Sequence, residues 1–183
     1  SGASLTGHAN LADMVCRLLK ACIELSAAPD IEMEIDWIPV DVVSRAIVTL
    51  SRRAESVGRA YHLVHPEPVS WRGVVTGLQG KGYAIRLLPY AEWKQLLLER
   101  AGKDPEHPLY PLVHMFTAAE SGPTPLLELF FQGRMPRFDC SETFRRLAGE
   151  VACPPMDALM ESAFGYFLET GFIAPPGEAH ARR

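Results

Sequence analysis

Several things are scarce in this sequence of 183 residues, and each scarcity excludes something. No apolar run approaches the roughly 20 residues that a membrane-crossing helix needs. The first residues have neither the basic start nor the apolar stretch of a secretory signal, so a cytoplasmic protein is expected. No run of Lys and Arg exceeds a pair, and the pairs Arg52-Arg53, Arg145-Arg146 and Arg182-Arg183 are scattered. With a net charge of -4, nucleic acid is not expected as a partner, and neither is a membrane. There are four cysteines, Cys16, Cys22, Cys140 and Cys153, and none forms a C-x-x-C pair. His-x-His and His-Glu-x-x-His spacings are also missing. Reduced, mostly buried thiols and no metal centre are expected. No G-x-S-x-G elbow supports a Ser-His-Asp hydrolase.

What is present is ordinary for a globular protein: 48% apolar and 22% charged residues, enough for one domain or one domain with a small appendage. SGASLTGHAN, residues 1–10, reads as a loop. Apolar residues at Leu11, Val15, Leu18, Leu19, Cys22, Ile23 and Leu25 predict a helix over 11–28, capped by Asn10 and ended by Pro29. Ile31, Met33 and Ile35 alternate with Glu32, Glu34 and Asp36, as in a half-buried extended segment. In Ile35–Leu50, IDWIPVDVVSRAIVTL, a short apolar run broken by Pro39 leads into a helix capped by Asp41 and running to about Arg53. Its apolar face is Val42, Val43, Ala46, Ile47 and Leu50.

Arg59–His65 reads as a strand, and Ser70 caps a helix bearing Trp71, Val74, Val75 and Leu78. Tyr83–Leu88 reads as a further strand and Ala91–Ala101 as a helix. The order β-α-β-α-β-α over 35–101 predicts a helix-rich α/β fold with a small, mainly parallel sheet. Beyond Gly102 the spacing predicts short helices over 109–119 and 124–131, a helix over Glu142–Gly149 capped by Ser141, and a longer one from Pro154-Pro155 to about Thr170. The expected division is a small α/β part at 1–101, a helical subdomain at 102–174 and a flexible tail at 175–183.

Some residue types invite chemistry. Asp36 and Asp41 flank the WIPV corner, where cap and turn roles compete with acid–base work. His62 and His65 stand three apart without further ligands. Tyr90-Ala-Glu-Trp-Lys94 has Tyr-x-x-x-Lys spacing, although ring packing of Tyr90 and Trp93 on the sheet is the simpler expectation.

Taken in order, SGASLTGHAN, IDWIPVDVVSRAIVTLS, AYHLVHPEPVSW, GYAIRLLPYAEW, HPLYPLVHMF, RFDC and CPPMDALMESAFGYFLETGFI resemble the C-terminal half of a thioester reductase domain. These are the terminal release domains of nonribosomal peptide and polyketide synthases, within the extended short-chain dehydrogenase/reductases. The resemblance runs over nearly all of residues 1–173. It implies an incomplete Rossmann-type fold whose complete form uses NADP(H) to release a carrier-bound acyl or peptidyl chain as aldehyde or alcohol. Its partners would be a phosphopantetheinylated carrier protein and the upstream nucleotide-binding half of the same domain.

The family's G-x-x-G-x-x-G cofactor loop has no counterpart, because Gly77-Leu-Gln-Gly80-Lys-Gly82 has the wrong spacing. Tyr90 stands where the family carries L-x-Y-x-x-W. No catalytic residue is therefore assigned, whether the chain alone is an enzyme stays open, and it is expected to be inactive and to bind no cofactor. The resemblance places Ser4, Thr6, Gly7 and Asn10 along the substrate or cofactor cleft, with capping and turn roles as the alternative; Gly7 would serve close approach or positive φ. Leu126, Leu127, Phe130 and Phe131 are candidates for an acyl and pantetheine channel. Two other readings stay open: a non-enzymatic carrier-docking module, and a fragment of a fatty acyl or carboxylic acid reductase.

Overall fold

A computed structural model describes residues 2–107, 110, 113, 116, 131 and 136–178. The chain forms two compact units and passes between them more than once. The first contains Ser1–Asn10, Ile35–Val69 and Pro136–Thr170; the second contains Leu11–Glu34, Ser70–Met135 and Gly171–Arg183. The divisions expected at 101 and 174 follow sequence, whereas these units follow contacts. The regular elements are helices α1 (Met14–Leu25), α2 (Val40–Ser51), α3 (Trp71–Gly80), α4 (Tyr90–Ala101), α5 (Ser141–Leu147) and α6 (Met156–Glu169). The strands are β1 (Ala27–Asp30), β2 (Glu34–Ile35), β3 (Val69–Ser70) and β4 (Arg86–Pro89). The fold is helix-rich, with β1 and β4 parallel and β2 paired with β3.

In the second unit α1 starts later and stops earlier than its apolar spacing predicts. Asp13, not Asn10, caps it, accepting from the Val15 N–H at 2.9 Å. It ends at Ser26 in the left-handed conformation (φ 50), three residues before Pro29. Pro29 instead lies in β1, in register with Leu88. Ser26 O accepts from Arg86 N, so by backbone alternation the carbonyls of Ala27 and Pro29 point to the opposite edge. There Trp93 Nε1 donates to Ala27 O at 3.3 Å and Trp71 Nε1 to Pro29 O at 2.8 Å. Proline has no N–H to offer a further strand, so two fully buried indoles finish this edge. Ser70 caps α3 as expected, accepting from Gly73 N at 3.1 Å. Trp93 anchors a ring cluster with Tyr90, Phe116 and Phe131 at centroid distances of 5.6–6.5 Å.

In the first unit α2 is the spine. Val42, Ala46 and Leu50 pack with Ile38, Leu147 and Val151, and Tyr61, Leu63 and Phe144 close over them. The expected inner face therefore holds, except that Ile47 points to solvent. Asp41 is not the N-cap: Pro39 is, and Asp41 lies in the first turn. Residues 59–65 are not a strand, for a physical reason: side chains satisfy the backbone there. Thr143 Oγ1 donates to His62 O at 2.9 Å, and His65 N donates to the Asp36 carboxylate at 2.6 Å. Ser141 likewise begins α5 rather than capping it, its N–H donating to Asp139 at 2.8 Å. α6 starts after Pro155 and ends near Gly171 (φ +66), as predicted. The helices expected over 109–119 and 124–131 lie outside the described residues apart from Tyr110, Val113, Phe116 and Phe131.

Candidate functional site

The best-built feature of the first unit is the loop of residues 2–10. A bridge between Gly2 and Ala9 closes its base, and Ala3 N donates to His8 O at 2.9 Å and Gly7 N to Ala3 O at 3.0 Å. Two helices then hold it. Val40 N, an N–H that α2 cannot satisfy internally, donates to Gly2 O at 3.1 Å. Ser4 donates twice to the Asp41 carboxylate, from its N–H at 2.8 Å and its hydroxyl at 2.7 Å. On the other side Gly7 (φ +64) lies against α6 so closely that a Cβ would stand 2.0 Å from Ser162 O. Gly7 was expected to serve close approach or positive φ, and the structure gives it both. His8 stacks on Tyr166 at 4.8 Å.

Partial burial opposes ionisation of Asp41. The two Ser4 hydrogen bonds outweigh it and, with Arg45 at 3.3 Å, hold the carboxyl below the ordinary carboxylate range. The Ser4 hydroxyl proton is committed to that carboxylate, so Ser4 is an anchor rather than a nucleophile. Thr6 Oγ1 accepts from His8 N at 3.3 Å, which leaves its own O–H to donate outward. Leu5, at the tip, is 92% exposed. Of the four sequence candidates here, Ser4 and Gly7 fasten the loop, while Thr6 and Asn10 are exposed.

Beneath the loop, Gly2, Ala3, Gly7, Trp37, Pro39, Leu159 and Ala163 enclose a crevice of only about 10 Å³. That is room for a single water at most, so any ligand of the loop meets its outer surface. The larger concavity among the described residues is a groove of about 420 Å³ along α4 in the second unit. It is lined by Ala91, Lys94, Gln95, Leu98, Glu99 and Lys103. Its lining is mainly apolar and suits an aliphatic chain, and the charges of Lys94 and Lys103 are offset in part by the Glu99 carboxylate.

Phe131 is 3% exposed within the ring cluster, and Leu126, Leu127 and Phe130 lie outside the described residues. Tyr90, the tyrosine of the Tyr-x-x-x-Lys spacing, stacks on Phe131 at 5.6 Å. His65 is buried: Nδ1 accepts from Glu67 N and Nε2 donates to Pro154 O, each at 3.0 Å. His62 instead contacts Asp139 O and the Phe138 ring. Among the described residues no three His, Cys, Asp or Glu side chains group to hold a metal. All four thiols are free; burial raises each of them, Cys16 and Cys153 to about 11, which suits packing rather than reactivity.

A dinucleotide needs backbone N–H groups at a helix N-terminus to hold its pyrophosphate. Gly77 and Gly80 lie at the carbonyl-rich end of α3, and the Lys81 and Gly82 N–H groups already donate to Gly77, Leu78 and Gln79. The Gly77–Gly82 segment therefore does not fit a dinucleotide pyrophosphate.

The Ser4–Asp41 clamp was invisible in the sequence because 37 positions separate its partners. The only local signal was Gly7, whose neighbour could not be named.

No family model matches the chain. It is 32% identical to L-2-aminoadipate reductase of Saccharomyces cerevisiae across 96% of its own length and 13% of that protein. It is 28% identical to a linear gramicidin synthase of Brevibacillus parabrevis across 93% of its length and 3% of that protein. Among solved structures it matches the terminal R domain of the myxalamid PKS-NRPS pathway with 35% identity and a TM-score of 0.83, covering 96% of this chain and 44% of that one. A thiolation-reductase di-domain of an archaeal non-ribosomal peptide synthetase shares the fold at a TM-score of 0.64 and 18% identity. The chain thus spans a small fraction of these curated relatives and less than half of the R-domain chain.

Proposed function

Because this chain is a homologue of the C-terminal part of the terminal reductase domains of nonribosomal peptide and polyketide synthases, we propose that it is the substrate-binding portion of a thioester reductase. The observation that carries this reading is the match of 96% of this chain to 44% of the myxalamid R-domain chain at a TM-score of 0.83. In the complete domain, NADPH would be the reductant, and a carrier-bound acyl or peptidyl chain would leave as aldehyde or alcohol. This chain's share is binding and orientation. The fastened loop would present Thr6, with Ser4 and Gly7 fixing it and Asn10 beside it, to the cleft. Leu126, Leu127 and Phe130 would line the acyl and pantetheine channel, Phe131 being buried in the ring cluster, and the α4 groove is a second surface suited to an acyl chain. The partners are a phosphopantetheinylated carrier protein and the nucleotide-binding portion of the same domain.

Calorimetric titration tests this. The chain should bind an acylated holo-carrier protein more tightly than the apo-carrier, and should neither bind NADPH nor consume it with an acyl thioester. Equal binding of apo- and acyl-holo-carrier would instead indicate a docking module. Failure to bind either would remove the substrate-binding role, and turnover by the chain alone would place the chemistry within these residues.

A further inference from the structure

α2 is apolar on two sides, and only one of them is covered. Its inner side, Val42, Ala46 and Leu50, lies in the core of the first unit. At 100° per residue, Val40, Ser44, Ile47, Val48 and Ser51 form a second stripe on the opposite side, about 18 Å long for a helix of this length. Val40, Ile47 and Val48 are each more than half exposed. The two serines add no outward donor, because Ser44 Oγ folds back onto Val40 O at 2.8 Å and Ser51 Oγ onto Val48 O at 3.1 Å. Leu5, 92% exposed, stands on the loop that Ser4 and Gly2 tie to the first turn of this helix. A surface helix ordinarily turns a polar face opposite its buried stripe, and here the opposite side offers Val40, Ile47 and Val48 instead.

We propose that this face of α2, with Leu5, is the seam against which the remaining part of a reductase domain packs, through an uncharged apolar element. The inference rests on the reading under "Proposed function". The chemistry of the face selects the occupant. The stripe carries no charged residue, and at its margin Asp41 and Arg45 neutralise each other at 3.3 Å. It offers no cation to a phosphopantetheine or to an acidic carrier surface, whereas small and branched apolar side chains suit a permanent intramolecular contact. The R-domain chain that this one matches over 96% of its length has more than half of its own length outside the match, so it has chain available to cover such a face.

Two preparations test the seam: this chain alone, and a hybrid in which it replaces the matching part of the myxalamid R domain. Hydroxyl-radical footprinting should show several-fold less modification of Leu5, Ile47 and Val48 in the hybrid than in the chain alone, with the exposed Val57 unchanged. Equal modification overturns the proposal, as does a hybrid that lacks a cooperative thermal transition. The double variant Ile47→Asp/Val48→Asp should leave the melting temperature of the chain alone unchanged and lower that of the hybrid. A drop in the chain alone would mean that the face is already covered, and a dimer of the chain that the variant dissociates would assign the face to a second copy; either overturns it. Acyl-thioester turnover is measured separately on the hybrid: protection without turnover keeps the seam and sinks the thioester-reductase reading.

Discussion

The two units hold their key backbone segments by different means. In the second, the outer carbonyls of β1 are met by the indoles of Trp71 and Trp93, rigid side chains fully buried among other rings. In the first, loop 2–10 is met by a part-exposed carboxylate and by a buried glycine contact. The difference concerns what each arrangement can tolerate. An indole bond inside a core is indifferent to pH and depends on volume. A carboxylate clamp at the surface depends on charge and can release a loop without unfolding what lies beneath. A scaffold unit and a unit that presents a ligand-facing loop would be expected to divide in this way.

The comparison can be broken or sharpened by three substitutions. Trp93→Ala should have the largest effect, about 3–5 kcal/mol of lost stability in chemical denaturation, because it removes a fully buried ring and leaves Ala27 O without its donor. A loss below about 1 kcal/mol would show that the ring cluster is not what holds the strand edge.

Gly7→Ala should come next, costing about 2–4 kcal/mol or detaching the loop, since the new Cβ meets the backbone of α6 and φ is positive. Amide exchange should report it as faster exchange confined to residues 3–9 and the facing turn of α6. Uniform acceleration through both units would contradict a locally held loop.

Asp41→Asn should have the smallest effect, about 1–2 kcal/mol, because one acceptor oxygen survives on a part-exposed group. The pH dependence has a definite sign. The folded carboxyl titrates below the unfolded one, so its contribution is fully present above the ordinary carboxylate range and is lost as pH falls through the depressed folded value. The Ser4 protection factor, which divides out the intrinsic pH dependence of amide exchange, should therefore fall on acidification in the native protein and stay flat with pH in Asp41→Asn. A Ser4 amide equally protected in both proteins at every pH would refute the clamp.

Much of the architecture was legible in local patterns. Ser70 before Trp71, the prolines before Met156 and Gly171 after α6 are punctuation marks whose physics acts within one helical turn. The alternation of Ile31, Met33 and Ile35 with exposed acids was equally local and holds residue by residue. β1 was misread because Ala-Ala-Pro-Asp has no strand propensity: it is a strand only because β4 pairs on one side and two indoles cap the other. Residues 59–65 were misread in the opposite direction. Their composition is that of a strand, but Asp36 and Thr143 take the hydrogen bonds a neighbouring strand would have taken. At the candidate site, Gly7 could be marked as special while Asp41 looked like a cap.

By itself, then, the sequence determined where helices form among the described residues, the punctuation of α3 and α6 and the apolar character of α2, because periodicity and capping are short-range. The tertiary structure alone decided that Ile47 faces away from the covered side of α2, that Asp41 receives Ser4, and that a proline-bearing segment is a strand. Those outcomes depend on residues tens of positions apart, and no local preference encodes which of them will meet.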